Sequence, residues 1–266
     1  MNVMTKSDKM LARKEGKVGY VTFNNPERHN AVSLDMWEAA TSILDDFKSD
    51  DNVRVVVVTG AGGKAFISGA DISKFEKERS SREAVDHYNA VVDRANNAFY
   101  SFPKPTIAMI RGYCIGGGVG LALCCDMRIC TGGSKFGVPA AKLGLGYRYD
   151  GLKKLVDLVG PSFAKEIFFT ARQFTAAEAQ MMGLVNRVLP DAELEAYVKD
   201  YADTISGNAP LTVNAVKYIV GQAVKDESKR DLNKADAMVQ ACFASNDYKE
   251  GRKAFMEKRK PVFTGS

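Results

Sequence analysis

The sequence lacks an apolar segment long enough to cross a membrane. Its longest apolar stretch, residues 112–125, lies between Arg111 and Asp126. That stretch is shorter than the roughly 18 to 20 residues that a spanning helix needs. The first residues include several lysines and arginines but no apolar block of the kind that a signal peptide requires. We therefore predict a cytoplasmic or matrix-like location and no membrane partner.

Paired cysteines are also missing. The five cysteines are odd in number, four of them lie in the apolar middle of the chain, and no two have CxxC spacing. This pattern favours reduced, buried thiols that act as small apolar side chains over a disulfide framework or a metal site. We expect no metal and no permanently bound cofactor.

A large excess of one charge is absent as well. The net charge of +5 results from 37 lysines and arginines against 32 aspartates and glutamates, which are mostly interspersed. This is too mild for a nucleic-acid-binding surface. The chain has no GxxxxGKS or GxxxxGKT phosphate loop and no GxSxG element, and Leu121 stands where a GxGxxG fingerprint would need glycine. These absences argue against nucleotide-binding and serine-hydrolase sites.

What is present is an alternation of strand and helix patterns. Residues 18–23, 54–59, 106–110 and 127–131 predict strands, and the second contains four consecutive valines, as in a strand covered on both faces. Ser33 is placed to cap a helix, residues 65–75 predict a further strand with its own turn and helix, and another helix is expected from about Val119. This succession predicts an α/β fold.

Beyond about Pro161 the pattern predicts one helix after another. Thr175 and Glu178 have capping-box spacing, and Gly183 is well placed to end that helix. Pro210 suits the first turn of a later helix. We expect a C-terminal helical module of the kind that often packs on another subunit.

Two glycine-rich segments, residues 62–72 and 111–120, each follow an apolar strand. Glycine lets a ligand approach the main chain and leaves peptide N–H groups unpaired. If a helix starts near Gly118, its free N–H groups and positive dipole end would suit a polarised carbonyl oxygen. Either segment alone is more typical of a tight, closely packed turn than of a ligand site.

Together and in this order, the two segments resemble those of the enoyl-CoA hydratase/isomerase family, the crotonases. The match runs from about Val18 to the end and includes Asn30-Ala31, Ala65-Phe66, Gly69-Ala70-Asp71-Ile72, Gly112 through Gly118, Cys125-Asp126, Phe136-Gly137-Val138-Pro139 and Glu257-Lys258-Arg259-Lys260-Pro261. The resemblance implies a spiral core of ββα units over residues 1–195 and a helical trimerisation module over residues 196–266. It also implies a homo-oligomer, either a trimer or a dimer of trimers.

The resemblance further implies an acyl-coenzyme A substrate, with CoA entering only as part of that substrate. It assigns the two donors of an oxyanion hole to the peptide N–H groups of Ala70 and Gly117. The implied substrate-binding positions are Ala31, Ser68, Gly69, Asp71, Ile72 and Pro139. Lys258 is expected near the nucleotide phosphates of CoA, either in the same subunit or across a subunit boundary. Arg28 is expected near the entrance. From its own sequence context, Asp71 suits a helix cap better than a base.

The chain departs from the family at two positions. Hydratases of this family have one glutamate three residues after the middle glycine and another directly after the proline of the Phe-Gly-x-Pro element, but Gly120 and Ala140 occupy these positions here. No Asp or Glu occurs between Asp93 and Asp126 or between Asp126 and Asp150. Hydration needs one group to deprotonate water and another to protonate carbon, so the usual two-glutamate route is unavailable to this chain.

Three functions remain open from the sequence. The first is a lyase that works through a thioester enolate, such as a malonyl-type CoA decarboxylase, with Tyr147 at a position where methylmalonyl-CoA decarboxylases have an active-site tyrosine. That resemblance is partial, because those enzymes have histidine at the position of Ala70. Arg148, Lys142 and Tyr149 are candidates for holding an acidic acyl group.

The second function is an enoyl-CoA hydratase or isomerase in which Tyr147, His87 or Asp150 handles the water or the proton. The third is a CoA-ester-binding paralogue without turnover. A peptidase on a similar spiral fold is a distant fourth, because no plausible Ser/His/Asp set is evident. Without the resemblance, Tyr147 is as compatible with a surface or interface position as with a catalytic one. A lone histidine beside charged neighbours, such as His87, is more often merely exposed than catalytic.

Overall fold

Two β-sheets carry the fold in this computed structural model, which describes residues 2–3, 7–74 and 80–266. In the described residues the larger sheet has the order β1-β2-β3-β4-β6-β8-β11 and the smaller one the order β10-β9-β7-β5. The strands are β1 Asn2–Val3, β2 Met10–Glu15, β3 Val18–Phe23, β4 Val55–Gly60, β5 Ala65–Ile67, β6 Thr106–Ile110, β7 Tyr113–Ile115, β8 Met127–Thr131, β9 Lys135–Gly137, β10 Phe174–Thr175 and β11 Arg187–Leu189.

The two sheets arise from one repeated unit. β4, β6 and β8 pair in parallel in the larger sheet, and each continues directly into β5, β7 or β9, which pair in parallel in the smaller sheet. Helices α2 (Arg82–Tyr100), α3 (Gly117–Cys124) and α4 (Tyr149–Thr170) follow the three strand pairs in turn. This is the spiral of ββα units that the resemblance implied.

The valines of β4 show why this strand lies inside the molecule. Val55 and Val57 face a cluster that includes α6 (Leu194–Gly207), whereas Val56 and Val58 face the main core with α1 (Leu34–Ser49). All four side chains are fully buried. Because successive side chains of a strand point to opposite faces, a continuous valine run is what a sheet covered on both sides requires.

The predicted elements of the core are confirmed with small shifts. The strands match the predicted runs to within one residue, and α3 begins at Gly117 rather than near Val119. Ser33 does occupy the cap position of α1, but its hydroxyl donates to Asp35 Oδ1 and accepts no backbone N–H. Of the unit predicted over residues 65–75, β5 and a 3-10 turn at Ile72–Lys74 are present, while Phe75 lies outside the described residues.

The prediction that only helices follow Pro161 was wrong. Helix α4 already begins at Tyr149 and is interrupted at Gly160, whose φ is 77°, so that Pro161 starts its second segment. Two short strands then intervene, β10 and β11, and β11 extends the larger sheet beside β8. Strands of two or three residues are too short to leave a period-two pattern in the sequence.

The last elements are helical, as expected. Helix α5 (Ala176–Met181) has the predicted capping box between Thr175 and Glu178. It is followed by α6, α7 (Pro210–Ala223), α8 (Leu232–Ala244) and α9 (Asn246–Met256). Several large apolar side chains of these last helices are exposed, among them Val216, Val220, Leu232, Phe243 and Phe255. In the part of the chain that is described, no helix is long and apolar enough to cross a membrane.

Candidate active site

One cavity of about 440 Å³ lies where the ββα units meet. Its walls come from α2, from the start of α3, from the 3-10 turn Pro139–Leu143 and from the first turns of α4. Both glycine-rich segments reach it, the first through residues 68–70 and the second through residues 115–120. The sequence features singled out for thioester binding therefore share one site.

The peptide N–H of Ala70 is held free by its neighbours. Val32 N donates to Gly69 O at 2.9 Å, and Asp71 N donates to Val32 O at 3.0 Å. In this parallel bridge the N–H of Ala70 itself points away from Val32. Within the described residues it has no hydrogen-bond acceptor, although Ala70 lines the cavity. A substrate oxygen in the cavity can accept this hydrogen bond.

The peptide N–H of Gly117 is free for a different reason. Gly117 is the first residue of α3, and the first N–H groups of a helix have no partner inside the helix. Gly116 precedes it with φ 55° and donates its own N–H to Gly137 O at 2.8 Å, which fixes the entry to the helix. The partial positive charge at this helix end favours an anionic or polarised oxygen in the cavity.

Close packing of the two main chains brings the donors together. A Cβ atom added to Gly117 would stand 3.9 Å from Gly69 Cα, and one added to Gly118 would stand only 2.3 Å from Ile67 O. Gly118 therefore has to be glycine, because any side chain would separate α3 from β5. With no side chain between them, the N–H groups of Ala70 and Gly117 form a candidate oxyanion hole.

The positions of the missing glutamates line the same cavity. Gly120 and Ala140 are both wall residues, and neither provides an acid or a base. A Cβ on Gly120 would meet no described atom within 4 Å, so the space for a longer side chain is open. Ala140 is buried.

Tyr147 reaches the cavity from the segment before α4. Its ring packs edge-on against Phe168 with centroids 4.8 Å apart, and 41% of the residue remains exposed. Burial raises the pKa of Tyr147, so its hydroxyl keeps its proton at neutral pH. Asp150, in the first turn of α4, also lines the cavity, whereas His87 is exposed and is not among its described wall residues.

The sequence offered three basic or phenolic side chains as candidates to bind an acidic acyl group. Arg148 does line the cavity, but its guanidinium is engaged with Asp93 of α2. Lys142 and Tyr149 are exposed and are not among the described wall residues.

Two charged wall residues were missed by the sequence reasoning, Asp93 and Lys154. Lys154 stands four residues after Asp150, on the same face of α4. That spacing is the one signal that could have indicated it.

The remaining predicted binding positions divide between the cavity wall and the layer behind it. Ser68, Gly69 and Pro139 line the cavity, while Ala31 is buried beside it and its carbonyl accepts a hydrogen bond from Asn25 Nδ2. Neither Arg28 nor Lys258 is among the described wall residues. The side chain of Ile72 lies outside what the structure describes.

Asp71 has the local role that its sequence position suggested. Its Oδ1 accepts hydrogen bonds from Ser73 N at 3.2 Å and Ser73 Oγ at 2.7 Å, which caps the 3-10 turn. Arg28 Nη1 lies 3.2 Å from the same oxygen. Burial alone would raise the pKa of Asp71, but the hydrogen bonds from Ser73 and the nearby charge of Arg28 lower it. Asp71 is thus a fixed anion behind the wall and not a proton carrier.

Known proteins resemble this chain over nearly its whole length. Residues 13–266 match the sequence model of the family described as Enoyl-CoA hydratase/isomerase. The chain is 34% identical to the short-chain-enoyl-CoA hydratase of Clostridium acetobutylicum, over 94% of this chain and 95% of that protein. It is 36% identical to the crotonyl-CoA hydratase of Syntrophomonas wolfei, over 96% and 98%. The crystal structure of an enoyl-CoA hydratase/carnithine racemase from Magnetospirillum magneticum superposes with a TM-score of 0.90 at 35% identity, over 98% and 97% of the two chains.

Proposed function

This chain belongs to the enoyl-CoA hydratase/isomerase family, and we propose that it is a lyase that adds water to a 2-enoyl-CoA thioester. The observation that carries the proposal is the pair of unused N–H groups, Ala70 and Gly117, that face one cavity. Two relatives aligned over more than nine-tenths of this chain bear the names of hydratases of such thioesters. The two N–H groups support enolate chemistry on a thioester, and the names of these relatives favour hydration over decarboxylation.

The oxyanion hole supplies the electrostatic part of the reaction. The thioester oxygen accepts hydrogen bonds from Ala70 N–H and Gly117 N–H, and negative charge develops on that oxygen as the enolate forms. Because the donors are fixed by the backbone, they need no reorganisation, and in other enzymes one such donor contributes about 2.7 to 4 kcal/mol. The start of α3 adds its dipole to the same oxygen.

Side chains other than glutamate then have to move the protons. In the proposed reaction the Asp150 carboxylate takes a proton from water, and the water oxygen bonds to the β-carbon. The electrons of the C=C bond pass to the thioester, which becomes an enolate in the oxyanion hole. The Tyr147 hydroxyl gives its proton to the α-carbon and restores the thioester carbonyl, and Asp150 returns the first proton to the tyrosinate. Atoms and charge balance as the addition of one water.

A second candidate is decarboxylation of a malonyl-type CoA thioester. It is favoured by the absence of a carboxylate at Gly120 and Ala140, because loss of CO₂ forms the enolate without a base and a nearby carboxylate would repel the substrate. The same two N–H groups would hold that enolate, and Tyr147 would orient the departing carboxylate. This reaction differs from hydration in the substrate and in the need for Asp150.

One experiment separates these functions. The protein is incubated with crotonyl-CoA and, separately, with methylmalonyl-CoA, and each thioester is followed by mass. A gain of one water on crotonyl-CoA, lost in Asp150→Asn, supports the proposal. Loss of CO₂ from methylmalonyl-CoA with no hydration supports the second candidate. Binding of both esters without turnover of either would overturn both and identify a CoA-ester-binding paralogue.

A further inference from the structure

We infer that Lys154 makes this cavity selective for acyl groups that end in a carboxylate. The inference rests on the proposed thioester site and adds to it the class of substrate. Lys154 lines the same cavity as Ala70 and Gly117. A thioester held at the oxyanion hole therefore extends its acyl group into a cavity whose wall includes a lysine.

The ammonium of Lys154 is partly withdrawn from water. The residue is half-buried, and its Nζ lies over the ring of Tyr100, 4.7 Å from the ring centroid. Its neighbours along the wall include the buried side chains of Cys124 and Leu155. A cation in such surroundings has lost part of its hydration, and an anion brought next to it restores the lost interaction.

No carboxylate of the described cavity wall forms an ion pair with Lys154. Within the described chain, no carboxylate lies within 4.0 Å of Lys154 Nζ, whereas the adjacent Lys153 contacts both carboxylate oxygens of Asp157. Asp93 is neutralised by Arg148. Asp150, one turn before Lys154, is exposed and forms no ion pair with it.

A matched pair of ligands isolates the effect of the charge. Butyryl-CoA and succinyl-CoA have acyl chains of four carbons, ending in a methyl group and in a carboxylate, and neither has the double bond that hydration requires. Their dissociation constants are measured by titration calorimetry for the wild type, Lys154→Met, Lys154→Arg and the control Lys153→Met. Lys153 is the neighbouring lysine on α4 and contacts Asp157 and Val224 O outside the cavity.

The expected result is tighter binding of succinyl-CoA than of butyryl-CoA by about tenfold, the effect of one charge-assisted hydrogen bond. Lys154→Met should abolish that preference and leave the dissociation constant of butyryl-CoA unchanged. Lys154→Arg should keep the preference. Lys153→Met should alter neither dissociation constant. Equal binding of both esters, with Lys154→Met affecting neither, overturns the inference while the thioester site stands. Failure of both esters to bind overturns the proposed function, and the inference with it.

Discussion

Arg148 donates two hydrogen bonds to the carboxylate of Asp93, from Nη1 to Oδ2 at 2.5 Å and from Nη2 to Oδ1 at 2.7 Å. This pair joins the residue just before α4 to the middle of α2 across the cavity. Because the side chains are 63% and 42% exposed, the pair contributes little to stability, about 1 kcal/mol at most. We expect its effect to be geometric, because Tyr147 directly precedes Arg148 in the chain.

Breaking this pair should therefore affect activity more than stability. For Asp93→Asn we expect a fall in the free energy of unfolding of less than about 1 kcal/mol, together with a several-fold lower kcat because Tyr147 is less well positioned. Chemical denaturation and steady-state kinetics measure the two effects. Asp157→Asn, which breaks an ion pair on α4 outside the cavity, is the control and should leave kcat unchanged. An unaltered kcat in Asp93→Asn would show that the pair does not position the tyrosine.

Removing the hydroxyl of Tyr147 tests its role as proton donor. Tyr147→Phe keeps the ring contact with Phe168, so we expect an unchanged melting temperature and a kcat lower by about 10²-fold, the usual contribution of a general acid. Because burial raises the pKa of Tyr147 above its ordinary value of 10, the donor stays protonated until pH rises above that value. The kcat of the wild type should decrease only above this pH. The pH profile of Tyr147→Phe should lack this alkaline decrease. Tyr149→Phe, an exposed neighbour, is the control.

Restoring a glutamate should increase hydration. A side chain at Gly120 has open space at its Cβ, and the position lines the cavity. We expect Gly120→Glu to raise the rate of crotonyl-CoA hydration by about 10²-fold, since it adds a general acid or base, and Ala140→Glu to add further. Gly120→Gln, which has the same size and no acid, should give no increase. A wild type that already hydrates as fast as Gly120→Glu would contradict this expectation.

The glycine-rich segments show how far the sequence determines the fold and the site. Their order and spacing predicted the family, and the resemblance assigned Ala70 and Gly117, which both line one cavity in the structure. Asp93 and Lys154 escaped prediction because their places depend on how α2 and α4 come to line the same cavity, which the spacing of Asp150 and Lys154 on one helix face does not by itself reveal. The roles given to Arg28 and Lys258 stay predictions, since a single chain does not bring them to the cavity wall.

Gly118 is a glycine that we expect to be required for stability. In Gly118→Ala the new methyl group would stand 2.3 Å from Ile67 O, so the backbone must shift. We expect a loss of about 2 to 3 kcal/mol in the free energy of unfolding, the upper range for overpacking. Gly120→Ala in the same helix meets no atom within 4 Å and should stabilise by up to about 1 kcal/mol. Thermal denaturation of the two variants, with opposite shifts expected, provides the check.

The cysteines should differ sharply in reactivity. Burial raises the pKa of Cys124 to about 11 and that of Cys130 to about 12, and it also raises those of Cys114 and Cys125. At pH 8 the reactive thiolate of Cys124 is then a fraction on the order of 10⁻³. Only Cys242 is partly exposed, so iodoacetamide should alkylate it first in the folded protein. Peptide mapping that found Cys124 modified at a similar rate would contradict this order.

The two donors of the proposed oxyanion hole are hydrogens of the peptide backbone. Substitutions at Ala70 leave this hydrogen in place, except a substitution by proline, which has no peptide N–H. Alanine scanning of this cavity would therefore not detect the contribution of the N–H groups to carbonyl polarisation. It would report only on the side chains that transfer protons or select the acyl group. By the same reasoning, the side chains around the cavity can be substituted during evolution, and the reaction can change with them, while the backbone donors for the thioester remain. Gly120 and Ala140, where the resemblance leads us to expect glutamates, line the same cavity as these two N–H groups and are the positions at which such a change would be sought.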